Sequence, residues 1–189
     1  MTLVAKSTVD DVFAGNSIAD ALTFAGLVLV AHDLVKSMIV KPIKQFYEGV
    51  EFKGDGPFKS YAIDVLSRDP GEYRACLLYL RDFMLVLNDD DLRCVEDLRV
   101  HRNLVAHELP ALVREFRAAE FLGLIERVDA TLFKLSNHRA YMELGADPVS
   151  LGWDWSQVLG GEYILFREVL AQVRNMRLLS EAQRSETLS

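Results

Sequence analysis

Polar and apolar positions along the chain alternate with the three-to-four-residue rhythm of amphipathic helices, and long strongly apolar stretches are set off by short polar breaks. The first apolar stretch begins after Asn16 and Ser17, either of which makes a good N-cap, and predicts a helix to about Tyr47, bent near Pro42. Gly49–Gly56 reads as a loop and Phe58–Ser67 as a short helix ended by Asp69, Pro70 and Gly71. Glu72–Leu87 predicts a second strongly apolar helix, with Asn88, Asp89 and Asp90 breaking it and capping the next. A third helix from about Asp91 reaches at least His107, where Pro110 forces a stop or a bend. A fourth runs from Ala111 or Arg117 to about Leu144. Gly145–Gly161 is a loop holding Trp153, Asp154 and Trp155, and an amphipathic helix from Glu162 to about Gln183 precedes a frayed tail over 184–189. The expected architecture is all-α, a four- to five-helix bundle forming one domain over 1–189.

Composition agrees with that pattern. Eleven glycines and five prolines make up about 8% of the chain, below the roughly 12% of average proteins, which disfavours a many-stranded sandwich. Half of the residues are hydrophobic, enough for a sizeable core. Cys76 and Cys94 are too few for a disulfide framework and lack metal-ligand spacing. The opening residues, interrupted by Lys6, Asp10 and Asp11, do not read as a secretory signal. The stretch 19–40 carries Asp20, His32, Asp33 and Lys36 and reads as too polar for a membrane span, so a cytoplasmic protein with no membrane contact is expected.

A net charge of −7 excludes nucleic-acid binding by bulk charge. Any anionic partner must meet a local patch. From residue 60 onward the positive charges are fourteen arginines and Lys134. Between 93 and 117 five arginines face four acids, so the third helix is less acidic than the rest of the chain.

That helix carries the string Arg102–Asn103–Leu104–Val105–Ala106–His107–Glu108–Leu109. At about 100° per residue, Asn103 and His107 stack on one face, whereas Arg102 and His107 lie roughly 140° apart. Histidine exchanges protons near neutral pH, and arginine offers phosphate a planar fork of donors. The bland reading of the same residues is a solvated helix face, with arginines pairing Glu96 or Glu108.

The string resembles the motif of the HEPN superfamily, in which Arg, often followed by a polar residue, precedes His by four to six positions on a helix of a small bundle. Arg102, Asn103 and His107 fill those places, and the resemblance covers about 17–144. It implies a metal-independent endoribonuclease: His107 as general acid or base at the ribose 2′-hydroxyl or the leaving oxygen, Arg102 stabilising charge on phosphorus, Asn103 in support, and a cyclic phosphate product. It also implies a homodimer whose two motifs share one cleft, and a toxin or phage-defence role restrained by a protein antitoxin. The alternative within the same resemblance is a non-catalytic scaffold binding a protein or nucleotide through this face.

Other candidates read more plainly. Arg99 and His101 are candidate RNA contacts beside the motif, although His101 reads first as a surface histidine. His32 reads as a satisfied core histidine, and His138 as an exposed residue near a helix end. Asp89–Asp91 reads as helix capping rather than a magnesium site, and Gly54–Asp55–Gly56 as a turn rather than a phosphate loop. No histidine pair has metal-binding spacing, so neither metal nor cofactor is expected. Trp153 and Trp155, if exposed, suit a protein interface or a stacked base, but the plainer expectation is that they fold back over the core.

Overall fold

The computed structural model describes residues 15–49, 56–114, 118–145 and 147–172. All regular structure among the described residues is helical. In chain order the helices are α1 (Gly15–Ser37), α2 (Val40–Gly49), the single turn α3 (Tyr61–Asp64), α4 (Glu72–Asp82), α5 (Asp89–Arg114), α6 (Ala118–Leu144) and α7 (161–172). Short 3-10 turns lie at Leu66–Arg68, Pro148–Ser150 and Trp155–Gln157. Most of the loop expected over Gly49–Gly56, the end of the last helix toward Gln183 and the tail lie outside the described residues.

Three long helices form the centre. From α1, Phe24, Leu27, Val28, Ala31 and Val35 are buried against Val95, Leu98 and Val105 of α5 and Leu124, Val128, Leu132 and Leu135 of α6. Each of these valine, leucine and phenylalanine side chains, fully removed from water, contributes about 2 kcal/mol before its entropy cost. Phe166 and Leu170 of α7 join the same core, so one apolar cluster extends from Phe24 to Leu170. By length and composition alone, Ile18–Gly49 is long and apolar enough to cross a membrane. In the fold this stretch is divided into α1, the central helix, and α2, with Leu22 and Leu29 left on the outer side of α1.

The helices break where their chemistry requires it. The first break falls at Met38–Ile39, ahead of Pro42, because proline has no N–H for the carbonyl four residues back, that of Met38. The chain tightens there through Met38 N–H to Val35 O (3.2 Å) and Ile39 N–H to Lys36 O (3.3 Å). Pro42 then sits in the first turn of α2, where no donor is needed. The helix expected to reach Leu87 ends at Asp82. Five apolar residues in succession, 83–87, cannot all lie on one helix face. By leaving the helix, Phe83 stacks on Tyr79 at 5.2 Å and Leu87 enters the core. The turn holds Leu85 at φ 56°, with Val86 N–H bonded to Leu80 O.

Asn88 and Asp91 cap α5 reciprocally: Asn88 Oδ1 accepts from Asp91 N–H and Asp91 Oδ2 from Asn88 N–H, both at 2.9 Å. Asp91 is buried and also accepts from Thr131 Oγ1 (3.1 Å) and Lys134 Nζ (2.6 Å). Farther along, Arg127 meets Asp97 at 3.1 Å, so α5 and α6 run antiparallel.

The loop after α6 returns to it tightly. Asn137 Nδ2 donates to the carbonyls of Trp155 and Val158, and Tyr163 N–H to Ser136 Oγ. Trp155 packs edge-on against Tyr141 at 5.1 Å, while Trp153 stays 42% exposed, so only one of the two tryptophans folds back. Gly160 starts α7 against Ser136; a Cβ there would meet the Ser136 hydroxyl and stand 2.5 Å from its carbonyl oxygen. Backbone on backbone cannot give way. Gly160→Ala is expected to cost about 2 kcal/mol in urea unfolding, and an unchanged midpoint would show that α7 does not dock as described.

Candidate functional site

The buried positions of α5, Asp91, Cys94, Val95, Leu98, Val105 and Leu112, trace one stripe along the helix. Arg102 falls on it, about 40° around the axis from Leu98 and 60° from Val105. A position that the pattern reserves for an apolar side chain is therefore occupied by a guanidinium. Arg102 is half-buried and has no carboxylate within ion-pair distance among the described residues. Its one hydrogen bond there runs from Nη1 to Asn103 Oδ1, at 3.3 Å.

Asn103 is half-buried too, and His107, one turn farther, is exposed and without a hydrogen bond among the described residues. The three motif residues are thus brought together in part. Arg102 reaches Asn103, and Asn103 shares a face with His107, but Arg102 and His107 occupy different sides of one helix with no contact between them. The chain changes direction immediately afterwards: Glu108 has φ −129° and ψ 26°, and α5 resumes through Pro110. Pro110 denies Ala106 its usual helical donor, which gives the bend its cause. His107, one residue before this bend, is exposed.

The two candidate RNA contacts are otherwise engaged. Arg99 holds Glu96 with both arms of its fork, Nη2 to Oε1 at 2.6 Å and Nε to Oε2 at 3.1 Å. The guanidinium keeps the Glu96 carboxyl below its ordinary range, and the carboxylate raises Arg99 in turn. Such an exposed pair is worth little and opens readily to a phosphate. The half-buried His101 donates from Nδ1 to the carbonyl of Asp97 at 2.8 Å, on the opposite side of the stripe from Asn103. Arg93 and Arg127 are paired with Asp90 and Asp97. Of the arginines on α5 from 93 to 102, Arg102 alone lacks an acidic partner among the described residues.

His138 departs most from expectation. It lies in the body of α6, half-buried rather than exposed, because the break between α1 and α2, α2 itself and the turn after α4 close over it with Met38, Phe46 and Met84. Sequence spacing gave no sign of this, since the covering residues come from about 50 to 100 positions earlier. Burial pushes its imidazole below the ordinary 6.5. His32 is largely enclosed, with Nδ1 3.4 Å from Asp33 Oδ1. Among the described residues no group of three His, Cys, Asp or Glu side chains has metal-binding geometry.

Two outcomes follow from these placements. Arg102→Leu restores the apolar stripe and is expected to raise unfolding stability by about 1 kcal/mol; a loss of stability would show that Arg102 serves the fold of the single chain. For His138, the unfolded state takes up a proton near 6.5 while the folded state resists it, so stability falls as pH drops from 7 toward 5. The slope is at most about 1.4 kcal/mol per pH unit. Urea unfolding of His138→Gln is expected to show a shallower dependence over that window, and an identical slope would refute the assignment.

Compared with known proteins, the chain matches no family model, no curated protein and no solved structure, so its own residues carry the functional reading.

Proposed function

We propose that the protein is a metal-independent endoribonuclease that works as a homodimer, with a HEPN-like bundle as its fold. The observation that carries this reading is Arg102: a half-buried guanidinium on the apolar stripe of α5, with no carboxylate partner among the described residues and hydrogen-bonded to Asn103. A cation kept in that position has a reason if an anion meets it. His107 supplies the proton-transfer group, exposed and ready to reach substrate. One helix leaves Arg102 and His107 about 140° apart. A second α5 laid alongside would set the Arg102 of one protomer near the His107 of its partner.

In the reaction, the ribose 2′-hydroxyl attacks the adjacent phosphorus, and the 5′-oxygen leaves. His107 takes the proton from the hydroxyl or delivers one to the leaving oxygen. Arg102 stabilises the negative charge that builds on the phosphoryl oxygens, and Asn103 holds the guanidinium in place. The products are a 2′,3′-cyclic phosphate and a free 5′-hydroxyl. Such an activity suits a toxin or phage-defence protein of the cytoplasm, restrained by an antitoxin.

A second reading has its own support. The closed Arg99–Glu96 pair and the backbone-bound His101 leave little free charge for RNA beside the motif, which favours a scaffold that binds a protein or nucleotide through Arg102.

Purified protein incubated with total RNA or transfer RNA in EDTA is expected to release fragments ending in cyclic phosphate. Arg102→Ala and His107→Ala are each expected to slow cleavage by roughly 10²–10⁴-fold, with Arg99→Ala much milder. Sedimentation is expected to report a dimer. Absence of cleavage, or full activity in His107→Ala, defeats the enzyme in favour of the scaffold.

A further inference from the structure

His138 forms the wall between two depressions on the side of α6. One is an apolar cavity of 40 Å³, lined chiefly by Met38, Ile43, Phe46, Leu80, Met84 and Met142. The other is an open pocket of 260 Å³ between Phe133, Asn137, Tyr141, Trp155 and Val86. Met84 belongs to the first and Val86 to the second, so the turn at Leu85 bridges them. Leu85 is 79% exposed and takes the left-handed conformation that lets Val86 N–H cap the Leu80 carbonyl at the end of α4.

The imidazole of His138 makes no hydrogen bond among the described residues, although a neutral ring carries one donor and one acceptor. Water reaches its ring nitrogens, and a ligand entering the groove would take that water's place. Of the other polar residues at the cavity, Tyr79 accepts from Tyr47 and Arg139 is engaged by Glu143 and Glu162, so no uncompensated charge there calls for an anion. The cavity has room for about three water-sized spheres, the scale of a short alkyl group, and its three methionines adapt to irregular apolar shapes. Beyond His138, Trp155 and Tyr141 supply aromatic surface.

We propose that this groove binds a neutral amphiphilic small molecule, with a short alkyl end in the cavity, one amide-like hydrogen-bonding group at His138 and an aromatic group against Trp155 and Tyr141. The site uses none of the motif residues and stands whether or not the protein cleaves RNA.

Calorimetry on the full chain with N-phenylbutanamide and N-phenylacetamide tests it, because the two probes differ only in the carbons that would enter the cavity. The butanamide is expected to bind about tenfold tighter, shifting the methyl NMR signals of Met38, Met84 and Met142. His138→Phe is expected to weaken it about fivefold through the lost hydrogen bond. Met84→Trp, which plugs the cavity, is expected to reduce the preference for the longer chain to less than twofold. If His138→Phe does not fold, Met84→Trp and the wild type decide. No binding by the wild type, equal affinity for the two probes, or a chain-length preference that survives Met84→Trp overturns the proposal.

Discussion

The burial of α1 between α5 and α6 is the interaction on which the other elements depend. Over its 23 residues this helix is apolar on nearly every side, so no single neighbour can cover it. Two antiparallel helices on one side are the minimum that buries Phe24, Val28, Ala31 and Val35 together. Once they are in place, α7 has a groove to fill with Phe166, and α2 and α4 gather their aromatic residues at the far end. There Tyr47 donates to the buried Asp64 at 2.9 Å and lies 3.2 Å from the Tyr79 hydroxyl. Burial pushes both tyrosines upward, so their hydroxyls stay protonated and the two rings behave as part of the core.

How much of this was legible in the sequence varies by element. The long periodic segments were readable because their patterns repeat over many turns: α5 and α6 lie where the apolar positions placed them. Bends and ends were less so. Proline acts on the carbonyl four residues earlier, which moved the first break from Pro42 to Met38. The end of α4 was hidden because Phe83–Leu87 looks like more apolar helix, and the turn that separates those side chains is a tertiary event. The motif was legible as a string, and its geometry in part, since 140° follows from helical pitch alone. That Arg102 would lie on the buried stripe was also implicit in the spacing of Val95, Leu98 and Val105. The enclosure of His138 was not, because it depends on α2 and the turn after α4.

Two kinds of polar residue lie inside this helical frame. Asp91 is fully answered, by the α5 backbone, Thr131 and Lys134, and it fixes the register of α5 on α6. Arg102 and His138 are only partly buried, and among the described residues Arg102 bonds Asn103 alone and His138 none. A polar group answered in full belongs to the fold, whereas these two keep hydrogen-bonding capacity for a ligand, and on that ground both proposed sites rest on the long helices.

The pairing of Asp91 with Thr131 and Lys134, and of Asp97 with Arg127, also bears on how the chain reaches its native state. These contacts join residues 30 to 43 positions apart in a simple helical hairpin. The contacts of α1 with the same hairpin span up to about 110 positions. Closing the shorter loop costs less entropy, so the hairpin is the natural nucleus and α1 a late arrival. Until it docks, the most apolar segment of the protein is in water, and during synthesis α1 leaves the ribosome well before its partners. The interval between those events is when this protein is most exposed to aggregation.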